Sequence, residues 1–428
     1  MFAVTFFVCY GQMAHVLDEF SHWALVVKEM YLTDSLSAGP AVQFTYYKHY
    51  PPAMSIFQYF VLKLGGSFDE WKMYFAYQVF LLCFFMPFMK KLNFKKLPAY
   101  AAVAALWLSV LIFYPCAYME IYIDPFLAVV TGCGFATVMT ADSDNSLSRA
   151  NILLSASLLV LSKEIGIMPA VFLLLAYLLR EKRLKSLWAF SFAAVPEILW
   201  KTALKVHGVM KPESGKIDLV SFINVITGKE TLEDSYRPHI LKAFFMMLKG
   251  KSEAGISCFI VILLLAAVLI LLAVRYRRLS AGLLCIGFAL AYIFGMLLMY
   301  MYIFPHREAV VMASFTRYIG VALGSMLITS LIALLLLPNE RKNINVFAAL
   351  AAVLLLTPYG QLWQYMNRHA VGTGILTRSY AEIWCRELTE EYEPGSRICY
   401  GEGETATTEF FETRYILAPD YDVYWVTE

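Results

Sequence analysis

Between His15 and Gly66 the chain gathers side chains that can move protons and hold anions. The stretch carries the adjacent acids Asp18 and Glu19, the histidines His15, His22 and His49, and Lys48 shortly before Pro51-Pro52. A carboxylate held near a low-dielectric boundary can take the proton of a hydroxyl, which is general-base work. In a helix, Asp18 and His22 lie four residues apart and share a face. His15, either acid and His22 also recur about a turn apart, so a divalent metal is geometrically allowed there. Plain interfacial histidines are commoner than metal ligands, and an acid at a membrane face is as often simply solvated.

The segments that must position these groups are apolar. Of 428 residues, 60% are hydrophobic and 16% charged, against about 45–50% and about 25% in ordinary globular chains. The excess falls in blocks at about 1–14, 71–89, 98–114, 126–141, 150–163, 166–179, 186–205, 256–275, 279–304, 310–337 and 344–362. This pattern predicts an all-α polytopic membrane protein with about eleven transmembrane helices. Alternate loops carry the positive charge: Lys90, Lys91, Lys95 and Lys96; Arg149; Arg180, Lys182, Arg183 and Lys185; Arg275, Arg277 and Arg278; Arg341 and Lys342. Those loops are then cytoplasmic. The long loops 15–70 and 206–255, the short turns 115–125 and 305–309, and the tail lie on the other side, in an extracytoplasmic position at the plasma membrane. The assignment needs 150–163 and 166–179 to be two separate crossings.

The stretch after the double proline reads as a helix lying in the interface, with Met54, Phe57, Val61 and Leu64 on its apolar face. Apolar clusters in 206–255 predict one or two short interfacial helices. Tyr46, Tyr47, Tyr50, Phe57 and Tyr59 fit an interfacial aromatic belt. The run before Ala14 is shorter than a span needs, so an incomplete first helix is expected. Residues 1–363 form the membrane domain. Residues 364–428 form a small α/β appendage, with a helix at Ser379–Tyr392 and strands near Arg397–Tyr400 and Asp422–Val426. Cys385 and Cys399 could pair there, whereas the other cysteines read as buried thiols without metal-type spacing. No repeat, glycine-rich phosphate loop or nucleic-acid signature is present, so no nucleic-acid partner is expected.

The motifs follow a definite order. DEFSHW opens the first long loop and YYKHYPP follows in it. YMEIYIDP, from Tyr118 to Pro125, occupies the next turn. Lys163-Glu164 with Gly166 separates two short spans, and FTRY ends at Tyr318. This order resembles the GT-C superfamily of polytopic glycosyltransferases across residues 1–363. The nearest branch is glycosyltransferase family 39, the protein O-mannosyltransferases and aminoarabinose transferases, with its bacterial relatives. The resemblance implies a GT-C-like helix arrangement, a polyprenyl-phosphate sugar as donor, and membrane lipid as surroundings. The acceptor would be an extracytoplasmic glycan, lipid or protein hydroxyl. It implies that Asp18, first of the Asp18-Glu19 pair, activates the acceptor, and that Asp124 assists, with Glu120 as substitute. Lys48 and His49 would meet the carrier phosphate. Tyr50 stands where the aminoarabinose branch has lysine, and Arg317 is a further ligand for an anionic head group.

The residue chemistry fits that implication. A sugar on a phosphate already has a good leaving group, so the step needs a base on the acceptor and positive charge on the departing phosphate. One displacement with one base inverts the anomeric carbon. No cofactor is required, and a divalent metal remains an option. Two other readings use the same residues. Lys163-Glu164 can be a self-compensating pair, and Arg317 can simply snorkel to the interface. Two other functions share a lipid-linked sugar: a polysaccharide polymerase or ligase, and a flippase or transporter. Transporters place ionisable groups near the bilayer midplane, whereas here the spans are almost free of them.

Overall fold

A computed structural model describes residues 2–45, 47–90, 92–141, 146–210, 215–233, 235–337, 342–370, 373–403 and 406–426. Tyr46, Lys91, Arg341 and the side chain of Lys342 therefore lie outside the described residues. The chain is almost wholly helical, and the only sheet among the described residues has two strands.

Among the described residues, four helices are long and apolar enough to cross a membrane: Ile123–Thr140, Cys258–Arg275, Leu279–Tyr302 and Phe315–Leu335. A fifth span is added if the pair Asn343–Leu356 and Tyr359–Met366, bent by 64°, counts as one. Pro358 stands at that bend, where a missing N–H and the ring's steric demand interrupt a helix. These spans make the chain an integral membrane protein. The eleven runs expected from hydropathy are not eleven full-length helices. Most of the others fold as helices of 8 to 16 residues, below the roughly 20 residues of a spanning helix. The 71–89 run, for example, breaks after Cys83 and resumes as the single turn Met86–Met89.

The core of the molecule is the pair Ile123–Thr140 and Phe315–Leu335. Both are largely buried by their neighbours, at 94% and 83%. They approach closely because small residues face each other. A Cβ on Gly132 would sit 2.8 Å from Ile328, and one on Gly324 would sit 3.0 Å from Ala128. Such small-residue seams replace the hydrophobic drive that is missing between helices in lipid. Ser325 and Thr329 add hydrogen bonds across the seam to the carbonyls of Ala128 and Gly132. Cys258–Arg275 is only 33% buried, and its outward Leu263, Leu264 and Leu271 suit lipid contact.

Helices Ser146–Val160 and Ile167–Glu181 pack on each other as separate elements. Arg149 hydrogen-bonds Tyr177, which stands near Arg180. Arg149 and Arg180 thus both lie near Tyr177.

The helix after the double proline runs Ala53–Gly65, but its buried face is not the expected one. Met54, Ser55, Gln58 and Leu62 point inward, while Ile56, Phe60 and Leu64 are exposed. In a membrane the outside is apolar, so the inward face can carry the polar groups. Gln58 uses its amide to bond the carbonyl of Met73. Two short helices, Leu219–Ile226 and Arg237–Lys249, occur within 206–255.

The tail contains helix Thr373–Glu391, strand β1 (Arg397–Glu402), helix Thr408–Leu417 and strand β2 (Asp422–Val426), with β1 and β2 parallel. The helix starts earlier and β1 ends later than the sequence pattern indicated. Cys385 and Cys399 are both free thiols, one buried and one exposed. The tail docks on the first loop. Lys28 donates to the carbonyls of Tyr415 and Ile416 at 2.7 and 2.9 Å, and Tyr415 packs on Phe20.

Candidate active site

The first loop holds its shape through two buried acids. Asp18 precedes a single π turn, Glu19–Trp23, closed by the Ala24 N–H bonding the Glu19 carbonyl at 3.0 Å. Wide turns of this kind recur at functional sites. This one sends Asp18, Ser21 and His22 into a cavity of about 770 Å³, while Glu19 is not among the residues lining it. Glu19 is fully buried and accepts the backbone N–H groups of His15 and Ile121 at 3.0 and 3.1 Å. It therefore ties the first loop to the 115–122 turn.

His15 lies between Glu19 and Glu120, at 3.4 and 4.0 Å. Burial works against a charged imidazole, yet bonding and charge from Glu19, with Glu120 adding, leave the His15 pKa raised. Burial would also raise Glu19, but the His15 contacts hold it below its ordinary value. Glu120 is pushed up to about 7, first by burial and then by the charge of Glu19. Glu120 does not line the cavity.

Glu29 was not singled out by the sequence reading. It is fully buried, and its two oxygens accept the N–H groups of Gln43, Phe44 and Thr45 and the Thr45 hydroxyl, all within 2.8 Å. This clasp fixes the strand of loop that leads into Tyr47–Tyr50. An acid inside the apolar run ALVVKEMYL was the available signal, because a buried charge needs partners.

Across the cavity, Asp124 stands in the first turn of Ile123–Thr140, with Pro125 beside it. Both positions favour a helix start, since an acid suits the dipole and proline lacks the N–H that would be orphaned. Asp124 is buried and bonds Lys163 Nζ at 2.9 Å, and it lies 3.5 Å from Arg317 Nε. Arg317 Nη1 donates to Asp18 at 2.9 Å. The guanidinium lies over the Tyr122 ring at 4.1 Å and near Tyr318 at 5.2 Å. Lys163 stands 4.9 Å from the other partner, the Tyr318 ring. Asp18, Asp124, Lys163 and Arg317, from four distant parts of the chain, thus form one ionic cluster. Lys163 reaches Asp124, so its pairing is not confined to its neighbour Glu164. Arg317 turns into the cavity and does not snorkel.

Of the residues expected near a phosphate, His49, Tyr50 and Arg317 line the cavity and Lys48 does not. Lys48 is partly buried, and that burial lowers its pKa. His49 is buried, and its carbonyl accepts the Trp200 indole N–H at 3.1 Å. His22 packs edge-on against Trp23 and Tyr50 at 4.6 and 4.8 Å. Burial, with His49 adding, drops its pKa to about 3, so it is neutral. His15 and His22 contact different clusters. Among the described residues no group of three or more His, Cys, Asp or Glu is placed to hold a metal.

No family model matches the chain, and no curated protein matches it in sequence. A solved structure, ArnT from Cupriavidus metallidurans in the apo state, matches with a TM-score of 0.55. The match covers 100% of this chain and 84% of that one, at 12% identity. At that identity the likeness is one of fold.

Proposed function

We propose that this chain is an integral-membrane glycosyltransferase. It takes a sugar from a polyprenyl-phosphate donor and passes it to an extracytoplasmic acceptor hydroxyl on a glycan, lipid or protein. One observation carries the reading: a single cavity, onto which the starts of the buried helices Ile123–Thr140 and Phe315–Leu335 open, joins a partly exposed carboxylate, Asp18, to two cations, Arg317 and Lys163. Helix N-termini favour anions, so two of them with two cations suit a phosphate. The fold shared with ArnT supports this reading beside the motif order.

In the step, Asp18 takes the acceptor's O–H proton. The acceptor oxygen attacks the anomeric carbon from the side opposite the phosphate. The bond from that carbon to the phosphate oxygen breaks, its electron pair leaves on the phosphate, and the sugar inverts. Arg317 and Lys163 meet the charge that develops there, which is the kind of electrostatic help that contributes most to such barriers. Asp124 touches both cations and holds them in place. The chain supplies this charge itself, so transfer is expected to continue in EDTA.

The wall of Met296, Met299, Ile303 and Phe304 gives the lipid an apolar approach to the ionic cluster. The test is transfer by purified protein from a panel of radiolabelled polyprenyl-phosphate sugars, run beside polyprenyl-phosphate binding. Arg317→Gln should lower both transfer and binding. Wild-type protein inert with every donor, or binding indifferent to Arg317→Gln, would remove the proposal.

A further inference from the structure

The cavity has a second wall that the transfer step leaves unused. Trp23, Tyr47 and Tyr50 line it, and all three are partly exposed. Tyr47 and Tyr50 stack at 4.8 Å with planes 8° apart, and Trp23 lies 5.6 Å from Tyr50. Their placement is built. The Glu29 clasp fixes the loop leading into Tyr47, the π turn fixes Trp23, and the Trp200 indole holds the backbone at His49.

We infer that this wall is the acceptor subsite and that it takes an uncharged pyranose ring of a glycan. The inference rests on the proposed transfer reaction and names its acceptor class. Aromatic faces carry negative quadrupole charge, which attracts the polarised C–H bonds on the flat side of a pyranose. Phenol hydroxyls are donors and acceptors that match a sugar's own hydroxyls. His22, which packs edge-on against Tyr50, is buried and neutral.

Position favours acceptor over donor. Asp18 bonds Arg317, and it lines the same cavity as Tyr50. A donor phosphate takes the Arg317 side. A ring on Tyr50 then presents its hydroxyl to Asp18 from the free side. One way to hold a peptide acceptor is backbone pairing along a strand edge. The only strands among the described residues, β1 and β2, contribute nothing to the cavity.

Saturation-transfer NMR on the purified full chain in nanodiscs tests this, with methyl hexopyranosides and a blocked serine peptide as probes. Wild-type protein should saturate the pyranoside ring protons and not the peptide. Trp23→Ala and Tyr50→Ala should weaken pyranoside binding roughly three- to tenfold, the size expected for lost aromatic contacts. Tyr50→Phe should retain the stacking part. Trp23→Ala should still bind polyprenyl phosphate like wild type, which shows that it folds. Saturation of the peptide alone, or of neither probe while polyprenyl phosphate binds normally, would overturn the subsite and leave the transfer reading standing. Polyprenyl-phosphate binding that ignores Arg317→Gln would sink the transfer reading, and the subsite with it.

Discussion

A carboxylate bonded to a guanidinium at 2.9 Å is a weak base until something else claims the guanidinium. In the proposed reaction a donor phosphate does that at Arg317, so the residue that would bind the leaving group would also free Asp18. Arginine's flat fork matters here, because a lysine offers only a point charge. Arg317→Lys is therefore expected to cut transfer at least tenfold while keeping the charge, measured as kcat/KM for the donor. Glu120 gives a different test. Its folded pKa of about 7 stands above its ordinary 4.5. The folded state thus holds a proton that the unfolded state releases between those values, and stability falls as pH rises through that window. His15, also raised, acts in the same direction as pH passes its folded value. Glu120→Gln should flatten the decline in thermal midpoint between pH 5 and pH 8, at a ceiling of about 3 kcal/mol. An unchanged slope would mean Glu120 is not the buried acid described. Motif order singled out Asp18, Asp124 and Arg317, which the fold brings into one cluster. The partner of Lys163 was not, because the backbone at Lys163 is extended and adjacent side chains there diverge.

The elements around the site do more than connect. The Glu29 clasp satisfies three backbone N–H groups and a hydroxyl with one carboxylate. Each such donor left buried and unpaired costs about 1–3 kcal/mol. Glu29→Ala should lower the thermal midpoint sharply and raise hydrogen exchange at 43–50; normal exchange there would refute the clasp. A second brace runs from the tail. Arg378 Nη2 bonds Glu70 at 2.7 Å, and Glu70 accepts the Ala14 N–H at 2.6 Å, four residues before Asp18. Arg378→Ala takes away the cation that faces the half-buried Glu70 and should loosen exchange at 12–20. The central helix seam is tested by Gly132→Val. Its Cβ meets Ile328 and the Ser325 carbonyl, and overpacking of this kind costs about 1–3 kcal/mol. Sequence periodicity could not show the π turn, which follows from local hydrogen bonding, nor the reversed face of Ala53–Gly65, which follows from having lipid outside.

At the scale of the molecule, hydropathy located the apolar blocks but not their breaks. Pro358 and the interruption after Cys83 divide runs that look continuous in composition. The tail's helix and strands were legible from their pattern, but its docking on Lys28 and Phe20 was not, because the contacts join residues nearly 400 apart in sequence. Asp18, Asp124, Lys163 and Glu308 line one cavity, so the segments bearing them open on one face. We propose that this face is extracytoplasmic. With the exposed Cys83 and Cys399 replaced by serine, Leu232→Cys should react with a membrane-impermeant maleimide in intact cells, and Leu184→Cys should not. Both positions are well exposed, at 68% and 82%. The opposite labelling would invert the orientation.

The central claim is that Asp18 is the base for a sugar leaving a lipid phosphate. Its most direct measurement is Asp18→Asn in membranes, assayed for transfer from a radiolabelled polyprenyl-phosphate sugar that the wild type accepts. The account predicts transfer reduced by roughly 10²–10⁴, with donor binding retained because Arg317 and Lys163 are untouched. Transfer at the wild-type rate would contradict it.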